Sequence, residues 1–219
     1  MAKKRTYGEA CGIARALDVV GERWALMVVR EMLLGPKRFT DIRAGLPGLS
    51  PDVLAQRLRE LEAHGIVQRR TLPPPAASQV YELTAAGMAL EPVLLALGRW
   101  GGANAPPPAE GVGMSFDSHI VSLTTLFVPE LADGFAATVE LRLGEQVFRA
   151  TVADGLFEIE RGEAQSPNLI ITTDERTLID IAHGRREFDE AHRTGDLEVE
   201  GDEQVAARFL SLFPLPVPA

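Results

Sequence analysis

One segment, residues 36–84, constrains the fold more than any other part of this 219-residue chain. It reads as a short helix, a turn, a longer helix and then two strands joined by a proline-rich tip. The longer helix has Ser50 at its N-cap and Pro51 at its first helical position, and Gly65 ends it. This order of elements predicts a winged helix-turn-helix, in which the second helix of the motif enters the DNA major groove.

The two faces of this predicted recognition helix differ in polarity. Leu54, Leu58 and Leu61 recur at the spacing of one helical face, which predicts that they pack into the core. The other face is polar and consists of Asp52, Gln56, Arg59 and Glu60. Val53 and Arg57 lie at its flank. A face of this kind is free to contact DNA, although an ordinary solvated helix face has the same composition.

We predict DNA contacts from the two motif helices and the wing: Lys37, Arg38, Thr40, Ser50, Pro51, Asp52, Val53, Gln56, Arg57, Arg69 and Arg70. The first three are candidates for phosphate contacts, which position a protein without specifying sequence, and the two wing arginines are candidates for flanking backbone. On the recognition helix, glutamine can pair with adenine, arginine with guanine, and valine can meet a thymine methyl group. The aspartate can accept from a cytosine amino group or simply offset the helix dipole.

The first half of the chain resembles the HxlR family of bacterial transcriptional regulators, which are MarR-like winged-helix dimers. The resemblance covers roughly residues 8–102 and rests on Cys11, the turn at 21–24, the run at 36–39 and the motifs LPGLSP and LAQRLRELE. It implies a homodimer that binds an inverted-repeat operator on double-stranded DNA, more often as a repressor. Two positions depart from the family pattern, because Asp52 and Ser78-Gln79 stand where relatives often carry a basic residue.

Charge divides the chain into two halves. The formal net charge is −9, yet residues 1–105 carry 14 Lys and Arg against 10 Asp and Glu, whereas residues 106–219 carry 8 against 21. A mildly basic half suits phosphate contacts, and a strongly acidic half repels DNA. We predict a DNA-binding and dimerisation domain at 1–102, a Gly/Ala/Pro-rich linker at 103–113 and a second domain at 114–219.

Two apolar helices exceed what one small core needs. We predict a helix over residues 10–20 and one long helix that Thr84 caps, with Leu90, Val93, Leu94 and Leu97 as an apolar stripe. These helices favour a dimer interface. The alternative is that both cover the core of the monomer.

The second domain is predicted to be α+β, with a small antiparallel sheet covered on one side by helices. Hairpin signals at 143–144 and 154–155 separate three alternating segments. Residues 169–213, with the turn GDLEVEGD, resemble the sterol-carrier-protein-like fold, which implies an apolar cavity for a hydrophobic effector. The candidate lining residues are apolar, although a sheet covered by helices needs such residues as plain core in any case: Ile120, Leu123, Phe127, Phe148, Phe157, Leu178, Ile181, Phe209 and Phe213.

The chain has one cysteine, Cys11, at the start of the first predicted helix. In the resembled family a cysteine near this position serves some members as a thiol sensor, and a helix N-terminus with Arg15 nearby would favour the thiolate. The alternative is a small apolar residue packed in the dimer interface. A single cysteine, with no apolar signal-peptide core and no membrane-length apolar run, predicts a cytoplasmic protein without a membrane partner.

Catalytic and metal-binding motifs are missing from the sequence. The four histidines, His64, His119, His183 and His192, lack the spacing of paired zinc ligands, and no GxSxG, P-loop or GxGxxG occurs. We therefore expect no enzyme, no metal and no cofactor. The leading hypothesis is a dimeric DNA-binding regulator that a hydrophobic ligand modulates. The alternatives are a lipid-binding or interaction protein that uses the winged helix for docking, and a regulator that senses thiol chemistry through Cys11.

Overall fold

The computed structural model describes residues 6–75, 77–106 and 113–215. The chain forms two compact units, Met1–Leu94 and Leu95–Ala219. The predicted boundary lies later, after residue 102, and most of the predicted linker, 103–113, lies outside the described residues. Within the described ranges, no helix is long and apolar enough to cross a membrane.

The helix-turn-helix and the wing of the first unit have the predicted order of helices and strands. Its elements are α1 (Gly12–Val20), α2 (Ala25–Arg30), α3 (Phe39–Ala44), α4 (Pro51–Ala63), β1 (Val67–Thr71), β2 (Gln79–Leu83), α5 (Ala85–Met88) and the first turn of α6 (Glu91–Asn104). Ser50 caps α4 as expected, because its hydroxyl accepts from the backbone N–H of Val53 at 3.4 Å. The strands β1 and β2 pair antiparallel from Val67–Leu83 to Thr71–Gln79 and form the wing.

The core of this unit lies between α4 and the helices around it. Leu54, Leu58 and Leu61 are each no more than 1% exposed, which confirms the predicted apolar face. They pack with residues of α2, α3 and β1, among them Val28 and Ile42. Burying three leucine side chains contributes roughly 1.5–3 kcal/mol for each, so this contact fixes α4 in the unit.

The predicted long helix after Thr84 is two helices. Thr84 does cap the first of them, accepting from the N–H of Gly87 at 3.2 Å. The chain then leaves the helical path after Met88 and α6 begins at Glu91. Pro92 explains the break, because it has no N–H to donate and its ring would clash in a helix interior, although it is tolerated in a first turn.

A buried carboxylate ties α2 to the start of the motif. Glu31 is fully buried; its oxygens lie 2.7 Å from Arg30 Nη2 and 2.8 Å from Lys37 Nζ. The backbone of Lys37 also pairs with Tyr81 of the wing. Because an unpaired charge at this depth would cost several kcal/mol, the three side chains form one structural unit.

The second unit contains a five-stranded sheet in the order β5-β4-β3-β6-β7. Its elements are α7 (Phe116–Leu126), a 3₁₀ turn (Pro129–Ala132), β3 (Ala137–Leu143), β4 (Gln146–Ala153), β5 (Leu156–Arg161), β6 (Leu169–Thr173), α8 (Glu175–Ala182), α9 (Phe188–Thr194), β7 (Leu197–Glu200) and α10 (Glu203–Leu210). The sheet is mixed rather than purely antiparallel, because β6 pairs parallel with β3. The connection from β5 therefore has to cross two strands, which no local turn signal reveals.

Glu140 anchors this crossing connection. It lies on β3 and is only 4% exposed, and its Oε2 accepts from the backbone N–H of Ala164 at 2.9 Å. Its other oxygen accepts from Arg142 at 2.8 Å. The hydrogen bond from Ala164 is the main cause that lowers the pKa of the Glu140 carboxyl, and Arg142 adds to it. The charged form of Glu140 thus holds the connection between β5 and β6 against the sheet.

We expect acid to weaken the second unit partly through Glu140. Since the folded-state pKa lies below the unfolded value, the stabilisation is present above the ordinary glutamate pKa and is lost as the pH falls through the folded pKa. Glu140→Gln should therefore reduce the free energy of unfolding at neutral pH and flatten its decline between neutral and acidic pH. Urea titrations of both proteins followed by circular dichroism test this. Parallel pH profiles would show that Glu140 makes no such contribution.

Candidate nucleic-acid interface

The outward face of α4 is the centre of the candidate interface. Asp52, Gln56 and Arg59 follow one another along it, and all three are exposed. Asp52 lies in the first turn, where its charge suits the positive end of the helix dipole. Gln56 donates to Glu60 at 3.0 Å. The guanidinium of Arg59 makes no hydrogen bond or ion pair with any described residue, so it is available to a partner.

Arg57 does not belong to this outward face, contrary to the prediction of a groove contact. Its side chain is only 9% exposed, and Nη1 lies 2.6 Å from Glu60 and 3.5 Å from Glu22. Nε and Nη1 are both buried without a hydrogen bond to any described residue, so the contacts of Nη1 with the two carboxylates are ion pairs. The physical reason is its position next to Leu58, which turns it toward the buried side, where two carboxylates compensate its charge.

The three predicted phosphate contacts near the start of α3 differ in how accessible their side chains are. Lys37 is committed to the buried carboxylate of Glu31, so its predicted DNA contact is not supported by the geometry. Arg38 is exposed and donates to Ser78 of the wing at 3.2 Å. Thr40 is exposed and donates to Asp41 at 3.2 Å. Arg38 and Thr40 remain accessible.

Both wing arginines lie on the surface but are paired with glutamates. Arg69 lies 3.0 Å from Glu62, and its guanidinium carbon is 5.4 Å from the ring centroid of Tyr81. Arg70 lies 2.8 Å from Glu82. Surface pairs of this kind are worth at most about 1 kcal/mol, so phosphates could replace the glutamates, but at a cost that free arginines would not have.

The remaining predicted contacts lie at the first turn of α4. Ser50 and Pro51 are exposed, whereas Val53 is partly buried and packs against the core. Two exposed cations absent from the predicted contacts lie nearby in the fold, Arg59 on α4 and Arg43 on α3, and neither has a hydrogen-bonding or ionic partner among the described residues. The helical spacing could have favoured Arg59 over Arg57, because Arg59 follows Asp52 by seven residues and Gln56 by three.

Apolar side chains are exposed on the two helices that are predicted to form a dimer interface. On α1, Ile13 is 73% and Leu17 is 39% exposed. On α6, Val93, Leu97 and Trp100 are 53%, 50% and 62% exposed, and their spacing places them on one face. By contrast, Leu90 and Leu94 of the predicted stripe pack against the core of the first unit.

Cys11 is exposed at the N-cap position of α1. The backbone N–H groups of Ala14 and then Ile13 lower the pKa of its thiol. These helix N-terminal amides, rather than the predicted neighbour Arg15, are therefore what favours the thiolate.

All nine residues predicted to line a ligand cavity lie in the core of the second unit. None is more than 8% exposed. Four of their rings pack on one another, with the Phe157 and Phe213 centroids 4.9 Å apart and those of Phe209 and Phe213 5.4 Å apart. None of them lines the open depression of about 610 Å³ beside the turn at Asp154-Gly155. This packing is that of an interior core.

The histidines of the second unit have ordinary polar neighbours. His119 contacts Glu175, and His192 contacts the carbonyl of Leu197 at 3.0 Å and Glu203 at 3.3 Å. Burial, with Arg185 nearby, lowers the pKa of His183 to about 4, so it is neutral at physiological pH. No group of three or more His, Cys, Asp or Glu within the described ranges could hold a metal ion.

These features define a winged helix-turn-helix domain followed by an α+β domain. Residues 19–108 match the HxlR-like helix-turn-helix family, and residues 128–214 match the SCP-2 sterol transfer family. The HTH-type transcriptional regulator YvaP of Bacillus subtilis is 41% identical over 86 residues, which are 39% of this chain and 80% of YvaP. The chain belongs to the HxlR-like helix-turn-helix family.

Two further likenesses concern one regulator. The HTH-type transcriptional regulator YodB of Bacillus subtilis is 38% identical over 85 residues, which are 39% of this chain and 76% of YodB. The solved structure of reduced YodB is 33% identical and covers 46% of this chain and all of that chain, with a TM-score of 0.40.

Proposed function

We propose that this chain is a cytoplasmic transcriptional regulator that binds operator DNA by placing α4 in the major groove. The carrying observation is the outward row Asp52, Gln56 and Arg59 on a helix whose opposite face is fixed in the core. Exposed Arg38 and Arg43 on the neighbouring elements can hold phosphates beside the groove. The role is regulatory rather than catalytic.

The proposed regulator is a homodimer on an inverted repeat. Exposed apolar side chains on α1 and α6 support this, since monomeric proteins rarely expose contiguous apolar faces without a partner. A twofold symmetric dimer repeats its contacts, so two α4 helices would read half-sites about 34 Å apart or a multiple of that distance. Binding of the full chain to DNA from upstream of its own gene, with the stoichiometry measured, tests this proposal. One protomer for each operator, or no binding, would contradict it.

Leu97→Glu is expected to convert the dimer into a monomer without unfolding it. Leu97 is half-exposed in the monomer, so the substitution should leave thermal stability nearly unchanged, while a symmetric interface would have to bury two carboxylates. Sedimentation velocity at micromolar concentration measures the change. Leu156→Glu is the matched control, because that leucine is 66% exposed in the second unit and should leave the dimer intact. If both variants sediment as dimers, Leu97 and its face of α6 do not belong to the interface.

A hydrophobic effector is part of the proposal. The match of residues 128–214 to the SCP-2 sterol transfer family supports it. The nine interior residues would be the binding region, and a ligand there would have to separate the packed rings of Phe157, Phe209 and Phe213. Such a ligand would regulate DNA binding only through a difference in affinity between two conformations of the protein.

A second candidate function is thiol sensing through Cys11, which its exposure and its lowered pKa favour. We expect iodoacetamide to label Cys11 at lower pH in the folded protein than in urea-unfolded protein, because the thiolate is the reactive form. Mass spectrometry after timed labelling measures this, and the labelled protein is then tested for DNA binding against Cys11→Ser. Identical pH profiles for folded and unfolded protein would remove the basis for this function.

A further inference from the structure

The exposed amide of Gln56 is held by polar contacts that run from the surface of α4 to its buried side. Gln56 Nε2 donates to Oε1 of Glu60 at 3.0 Å. The other oxygen of that carboxylate, Oε2, lies 2.6 Å from Nη1 of Arg57. The same Nη1 lies 3.5 Å from Oε2 of Glu22, so two carboxylates hold Arg57 in the interior. One oxygen of Glu60 is therefore held by Arg57 on the buried side of α4, while the other accepts from the Gln56 amide at the surface.

This anchoring matters because a glutamine amide has two orientations of nearly the same shape. A half-turn about its last bond exchanges the carbonyl oxygen, an acceptor, with the NH₂ group, a donor. A carboxylate only accepts, so Glu60 admits only the orientation that places Nε2 beside it. The second N–H and Oε1 of Gln56 then remain free side by side. The N–H can donate to N7 of adenine, and Oε1 can accept from its N6 amino group.

The buried position of Arg57 supports such a role. An arginine whose Nε has no hydrogen-bond partner is costly compared with an apolar side chain of similar size. Its helix neighbours Leu54, Leu58 and Leu61 already supply the core contact. What Arg57 adds to α4 is a fixed positive charge under the carboxylate of Glu60.

We propose that Glu60, anchored by Arg57, determines base specificity by fixing the orientation of the Gln56 amide. The preference that results is for adenine at one position of each half-site. Glu60 and Arg57 are positioning residues, since both act through Gln56 and neither has to contact DNA. The inference rests on the proposed function, because it requires α4 to lie in the major groove.

The test measures base preference rather than affinity alone. The full chain first selects its site from a random DNA library, and dissociation constants are then measured for all four base pairs at each selected position. Glu60→Ala should lose about fivefold or more of the preference for adenine at one position. Its affinity for non-specific DNA should stay the same or rise slightly, because a negative charge leaves the DNA side. Glu60 has a 40% exposed side chain, and Glu22 still faces Arg57 in the variant, so Glu60→Ala should fold.

Two further variants separate positioning from charge. Glu62→Ala removes the same charge two residues further along α4 and should keep the preference for adenine. In the Gln56→Ala background, Glu60→Ala should cause no further loss, since the residue through which it acts is already gone.

Retention of the adenine preference by Glu60→Ala to within about twofold would overturn the inference. An equal loss in the Gln56→Ala background would overturn it as well. If the wild-type chain selects no sequence at all, the proposed function fails and this inference fails with it. If the wild type selects a site and Glu60→Ala reads it identically, only the inference fails.

Discussion

Replacing Glu31 with alanine is expected to lower the free energy of unfolding of the first unit by about 3 kcal/mol. Glu31 has no exposed surface, and its carboxylate faces the cations of Arg30 and Lys37. Alanine would leave two largely buried cations without their carboxylate and would create a cavity. Urea unfolding followed by tryptophan fluorescence measures the loss, because Trp24 packs against the core of the same unit.

Glu9→Ala is the matched control for this prediction, since Glu9 is exposed in the same unit and its loss should change stability by no more than about 0.5 kcal/mol. Gly45→Ala probes the same carboxylate from the other side. An added Cβ there would lie 2.1 Å from Oε2 of Glu31, so the variant should be destabilised, and less so once Glu31 is alanine. If Glu31→Ala unfolds at the same urea concentration as Glu9→Ala, the ion group does not stabilise the fold.

Arg59→Ala is expected to weaken operator binding about 30-fold or more, which corresponds to about 2 kcal/mol. Arg59 is the exposed cation on the outward face of α4 and has no partner among the described residues. In a symmetric dimer one substitution removes two such contacts, so the effect of a single contact is doubled. Fluorescence anisotropy with labelled operator DNA, at constant salt concentration, measures the dissociation constants.

The control for Arg59 is Arg176→Ala, which removes the same charge from a side chain that is 91% exposed on α8. It should bind like the wild type, because α8 belongs to the acidic second unit. Equal affinities of the two variants would place the DNA contact elsewhere on the protein. Circular dichroism should show both variants folded, because both arginines lie on the surface.

Local signals in the sequence predicted α4 well. Its N-cap serine, first-turn proline and leucine spacing act within a few residues, and the helix begins and ends as they predict. The ion pair between Arg57 and Glu22 could not be predicted in the same way, because the fold brings Glu22 from a turn 35 residues earlier in the chain. The ion pair of Lys37 with the buried Glu31 was not predicted either, because it depends on how the chain folds back between α2 and α3, where neither residue belongs to a helix.

The second unit shows the same division between local and non-local information. The hairpin signal at Asp154-Gly155 predicted the turn between β4 and β5, where both residues have positive φ. The parallel pairing of β3 with β6 joins segments that are 30 residues apart, and alternation within each strand does not specify a partner. In the first unit, the break before Pro92 was readable from the sequence, because proline excludes a continuous helix at that position.

Salt dependence of DNA binding tests the central claim most directly. The full chain would be titrated onto labelled DNA from upstream of its own gene at several salt concentrations, beside Arg59→Ala. We expect the logarithm of the association constant to fall linearly with the logarithm of salt concentration, with a slope that reports several phosphate contacts for each dimer. Arg59→Ala should bind more weakly at every salt concentration. Binding that does not change with salt, or no binding by the wild-type chain, would contradict a DNA-reading role for α4.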